Sequence, residues 1–215
     1  MAEPQHPAGP QVAMQVRALA AESACGDATG HWLAQPSQGV TTHLLAIIDG
    51  LGHGQEACDA AQTALAFIGA HTAWPLPDLL QGLDEALKAS RGAAIGLVRL
   101  GSDRLEHVGV GNTRTLCWRG KQRLHLPSQP GIVGSGLRSP VQWTRMALQP
   151  DDWLILFTDG IHERAQLPLR LPEWQRDPQT LCQHLLTQWR DARDDAGVLV
   201  LQWPSRPQTM AGQTP

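Results

Sequence analysis

Four aspartates stand beside glycine or another acid in short, distinctive contexts: Asp27 in Cys-Gly-Asp, Asp49 in Ile-Asp-Gly, Asp159 in Thr-Asp-Gly and Asp194 in Arg-Asp-Asp. Asp49 and Asp159 each follow an apolar run and precede a glycine. A hydrophobic strand thus delivers a charge at its last residue, and the glycine lets the backbone turn and a ligand come close. Carboxylates converging at the ends of buried strands repel one another and stay ionised only around a cation. Hard oxygen ligands suit Mg2+ or Mn2+ rather than zinc. Two such ions sharing a carboxylate would acidify a bridging water at neutral pH, which is chemistry for attacking phosphorus. A rival reading is that Asp-Gly is simply a common turn dipeptide. Two such pairs, each ending a strong strand, weigh against that reading without removing it.

The elements that must position these groups follow from periodicity. Alternating Val12, Met14, Val16 and Ala18 predict a half-buried strand within 11–24. Gly26, Asp27 and Gly30 predict a turn, with a short strand over His31–Gln35. Thr41–Ile48 predicts a strong strand running into Asp49-Gly50. Two helices are expected next, over 55–71 and from an Asp78 N-cap to about Ser90. The middle third predicts strands at Ala93–Leu100 and Arg104–Val110, then a hairpin of Thr113–Trp118 and Gln122–Leu126 about Arg119-Gly120-Lys121. A flexible glycine-bearing loop is expected over 127–140, strands over 141–148 and 152–158, and an irregular stretch over 167–178. A helix over 179–190 and a strand over 197–203 complete the order. The fold class is α+β: two antiparallel sheets with helices packed outside. A loose leader (1–10), one domain (11–203) and a disordered tail (204–215) are expected.

Composition narrows the function. A chain of 215 residues and net charge -3 has no basic field to gather nucleic acid. Cys25, Cys58, Cys117 and Cys182 form no CxxC pair, so they read as reduced thiols in a cytoplasmic protein. The longest apolar runs are strand-length, which argues against a membrane span. A monomer or weak dimer is expected.

The motifs also resemble a known family. Asp49-Gly50-Leu51-Gly52-His53-Gly54 resembles the DGxGHG motif of SpoIIE-type phosphatases, within the PPM class of metal-dependent serine/threonine protein phosphatases. Gly109-Val110-Gly111-Asn112 resembles their GxGN strand end, and Gly131-Ile132-Val133-Gly134 their glycine-containing loop. The run from Asp152 to Ile161 resembles the hydrophobic strand ending in Thr-Asp-Gly, and Asp194-Asp195-Ala196-Gly197 opens a strand like their closing one. The motifs occur in family order across residues 14–203.

The resemblance implies an αββα sandwich and two divalent metals, Mn2+ or Mg2+. It implies that Asp49 bridges them, that the Gly50 carbonyl ligates one, that Asp159 and Asp194 complete the first site, and that Asp27 serves the second. His53, Asn112 and Asp195 are then expected in supporting or substrate-contacting places, His53 at the helix start, Asn112 as a sheet-end hydrogen-bonder and Asp195 behind the ligands. The absence of a sensor segment is similar to the stand-alone RsbX-like branch, which implies a phosphorylated STAS-domain partner, either RsbR/RsbS-like in a stressosome or an anti-sigma antagonist. The chain departs from the pattern after Asp27, where Ala28-Thr29-Gly30 replaces an aromatic and a second acid, so a weaker second metal is expected. The class's phosphate-clamping arginine is missing from the stretch 21–24. A catalytically weak phosphoprotein-binding module with the same fold therefore stays open as an alternative.

Overall fold

The computed structural model describes residues 9–21, 23–35, 41–137, 140–162 and 177–204. The expected leader and tail fall, apart from residues 9, 10 and 204, outside them, as does most of the irregular stretch expected over 167–178. The strands are β1 (Gln11–Arg17), β2 (Asp27–Ala34), β3 (Thr42–Gly50), β4 (Ala93–Leu100), β5 (Arg104–Val110), β6 (Arg114–Arg119), β7 (Gln122–Leu126), β8 (Thr144–Ala147), β9 (Trp153–Phe157) and β10 (Ala196–Gln202). The helices are α1 (Gln55–Ala70), α2 (Leu76–Ala86) and α3 (Pro178–Gln188). One sheet runs β1-β10-β9-β6-β7 and the other β2-β3-β4-β5-β8. All the strand pairs in both sheets are antiparallel.

Burial on both faces explains the continuous apolar runs. In β3, Leu44, Ala46 and Ile48 join the core formed with α1 and α2, while Leu45 and Ile47 enter the core between the sheets. In β9, Trp153, Ile155 and Phe157 pack toward α3, whereas Leu154 and Leu156 face the other sheet. Such strands show no alternation because neither face meets water. The result is four layers, with α1 and α2 on one sheet and α3 on the other. This is the expected two-sheet sandwich flanked by helices.

Three local expectations are corrected. Asp27 and Gly30 lie in a strand rather than a turn, because β2 pairs along its whole length with β3 and this overrides the weak strand preference of glycine. Asp78 is not an N-cap. Pro75 occupies that position with no side-chain cap, and α2 begins at Leu76. Pro77 then sits in the first turn, where its missing N–H costs nothing, and Asp78 complements the helix dipole there. The strand expected over 141–148 shrinks to Thr144–Ala147, one of the two edge strands of its sheet.

The loop over 127–140 is tied down along its described part. Gln129 bridges Val110, Val133 bridges Ala93, and Asp84 of α2 accepts the N–H groups of Gly134 at 2.7 Å and Gly136 at 3.2 Å.

Candidate active site

Asp27 and Asp49 are register partners on neighbouring strands. The ladder continues past them, since the Gly50 N–H donates to the Gly26 carbonyl at 2.9 Å. Gly50 is required by the helix that follows. A Cβ there would stand 2.1 Å from the Ala57 carbonyl oxygen, so only glycine lets α1 sit against the end of β3. Gly160 does the same job after β9, where a Cβ would lie 1.8 Å from the Asp195 carbonyl oxygen. These contacts bring the end of β9 against the start of β10, and with them Asp159, Asp194 and Asp195.

The acids fall into two layers. Asp49, Asp159, Asp194 and Asp195 line a cleft of about 540 Å³, together with His53 and Asn112. Asp27 is buried behind it. Its Oδ2 accepts the Thr158 hydroxyl at 2.6 Å, and that hydroxyl in turn accepts the Gly197 N–H at 2.9 Å. Asp195 is buried too, and reaches across the chain: its Oδ1 accepts the Leu19 N–H and its Oδ2 the Gly26 N–H, both at 2.6 Å. It therefore fixes the backbone that leads into Asp27. Asn112 donates to Asp159 Oδ2 at 2.7 Å.

The electrostatics are those of crowded acids. Burial, and next the charge of Asp49, push Asp27 up to about 8. Burial, and next the charge of Asp159, push Asp49 up to about 7, against the opposing hydrogen bond from Asn112. Burial and Asp159 also raise Asp194. Asp27, Asp49 and Asp194 thus resist ionising beside neighbouring carboxylates, which is the signature of a place made for positive charge. Among the described residues no three His, Cys, Asp or Glu side chains form a ready metal-ion cage. The cysteines stay out of the chemistry: none is in a disulfide, and burial pushes the Cys25 thiol up to about 11.

The acids Asp27, Asp49, Asp159, Asp194 and Asp195 are thus placed around one cleft, and His53, just before the start of α1, is exposed on its wall. Sequence reasoning gave no role to Thr158, although its place in Thr-Asp-Gly was the available signal. It also passed over Arg193, which lines the cleft beside Asp194.

Residues 40–204 match the sequence family described as stage II sporulation protein E. The chain belongs to the SpoIIE family. It is accordingly a PPM-class serine/threonine phosphatase by family and fold, a class that depends on Mg or Mn. Solved structures agree on the architecture of this SpoIIE-family chain. A chain described with the bacterial stressosome, a modular system adapted to control secondary messenger signaling, is 26% identical, with a TM-score of 0.78 over 89% of this chain and 98% of that one. RsbX in complex with magnesium is 15% identical, with a TM-score of 0.74 over 93% of this chain and 98% of that one. The PP2C phosphatase domain of SpoIIE from Bacillus subtilis, solved with a fragment of its regulatory domain, is 16% identical, with a TM-score of 0.74 over 92% and 64%. Comparison with curated protein sequences gave no significant match. Among the described residues no helix is long and apolar enough to cross a membrane.

Proposed function

We propose that this chain hydrolyses phosphoserine or phosphothreonine on a STAS-domain protein of a bacterial signalling switch, using two divalent ions. The observation that carries the reading is the cleft itself, where Asp49, Asp159 and Asp194 meet with Asp49 and Asp194 raised by burial and by the Asp159 charge. The donor set fits Mg2+ or Mn2+: hard oxygens only, with room in the cleft for the waters such ions retain. Asp49, the Gly50 carbonyl, Asp159 and Asp194 would hold the ions, with Asp27 serving the second. Bound there, the ions would supply a Lewis acid that acidifies the attacking water and neutralises charge on the phosphoryl oxygens.

The rest is done by this chain. Asn112 fixes the Asp159 carboxylate in one orientation. Thr158 fixes Asp27, and Asp195 fixes the backbone before it, so the acids need not reorganise when a phosphoryl group arrives. No side chain is required as a nucleophile, so the phosphoester is hydrolysed directly and no covalent intermediate is expected. The stressosome chain and RsbX among the similar structures support a STAS-domain substrate.

The test is phosphate release from a phosphorylated STAS-domain protein with Mn2+, with Mg2+ and with EDTA, alongside Asp49→Asn. Release that needs metal and falls at least about 100-fold in Asp49→Asn is the expected outcome. Stable binding of the phosphoprotein with no release under any metal would replace the phosphatase by a phosphoprotein-binding module.

A further inference from the structure

We propose that Arg193 grips the phosphoryl group of the substrate. The inference rests on the phosphatase reading above and adds a substrate-binding residue to it. A phosphoserine or phosphothreonine enters as an anion with three phosphoryl oxygens that accept hydrogen bonds. The cleft it must enter is walled by Asp49, Asp159, Asp194 and Asp195, and the only Lys or Arg on that wall among the described residues is Arg193. The nearby arginines do not line it. Arg91 pairs with Glu56, and Arg190 donates to the carbonyls of Ala18 and Asp194.

The Arg193 side chain is 87% exposed, and a free arginine in that position would lose much rotamer freedom on binding. Here it is already held. Its Nε donates to Asp191 Oδ1 at 3.0 Å and its Nη2 to Asp191 Oδ2 at 2.8 Å, while its own backbone N–H donates to Asp191 Oδ1 at 2.9 Å. One edge of the guanidinium is thereby fixed on a carboxylate. The planar fork leaves the Nη1 hydrogens and the outer Nη2 hydrogen for a second acceptor, and a phosphoryl group fits such a fork bidentately. Arg193 directly precedes Asp194 in one short turn, so the grip is set by the same backbone that places an acid of the cleft.

Steady-state hydrolysis of a phosphorylated STAS-domain protein by the full chain tests this, with inorganic phosphate as competing ligand. Arg193→Gln should raise KM and the inhibition constant of inorganic phosphate by about tenfold or more, the loss expected for charge-assisted hydrogen bonds. The metal concentration giving half-maximal activity should not change. Arg193→Lys, which keeps the charge but loses the fork, should fall between the two and covers the case in which the glutamine variant fails to fold. Wild-type turnover with KM and phosphate inhibition unchanged in both variants overturns the inference and leaves the phosphatase standing. A shift in the metal requirement alone would also overturn it, by making Arg193 a support for the acids. No turnover by the wild type would instead remove the phosphatase reading beneath it.

Discussion

The divided labour of neighbouring aspartates is the main finding at the scale of single residues. Asp194 is exposed and Asp195 buried, though they are adjacent in the bend that leads into β10. Asp194 looks into the cleft. Asp195 turns inward and satisfies two backbone donors on a segment some 170 residues away in sequence. Replacing it by alanine leaves the Leu19 and Gly26 N–H groups without their acceptor. Asp195→Ala should therefore cost about 2 to 4 kcal/mol of stability, measured by urea denaturation, and lower activity even in the fraction that remains folded. An unchanged denaturation midpoint would show that water replaces the carboxylate freely.

At the scale of elements, the site depends on a helix that sits unusually close to a strand end. Gly50→Ala puts a methyl carbon into the Ala57 carbonyl, so α1 must move away from β3 or the strand must bend. Expected is a loss of about 1 to 3 kcal/mol together with a larger loss of activity than stability alone explains, measured by thermal melts and phosphate release. Much of this architecture was legible in the sequence. The buried strands β3, β4, β9 and β10 announced themselves because both of their faces are covered, and the acids were visible because glycine and strand ends frame them. The start of β2 was not legible. Asp27 and Gly30 are turn formers by local chemistry, and what makes them a strand is pairing with β3, a non-local fact. The start of α2 was misjudged because an aspartate suggests a cap more strongly than a proline does, although Pro75 and Pro77 fit a first turn. Arg193 carried no local signal, since its meaning comes from which residues face it across the cleft.

At the scale of the whole molecule, the sandwich buries a histidine whose charged form no neighbouring acid offsets. His107 of β5 is 1% exposed, its Nδ1 has no hydrogen-bond partner, and burial pushes the ring down to about 4. Below about pH 6.5 the unfolded chain takes up a proton that the folded chain refuses until about pH 4, so stability is lost as pH falls through that window. His107→Leu should lose about 2 kcal/mol less than the wild type between pH 7 and pH 5, read from denaturation midpoints. An identical loss in both proteins would place the acid sensitivity elsewhere. The same global view gives the long reach of Asp195 a temporal meaning. β1 pairs with β10, and the backbone before Asp27 is held by a residue near the far end of the described chain. At ribosomal speeds of about 5 to 20 residues per second, roughly 10 to 30 s separate the synthesis of Asp27 from that of Asp195. During that interval the growing polypeptide gains its acids one by one but has no assembled cleft, so it is silent toward its substrate until Asp195 has been made and has closed on the backbone before Asp27.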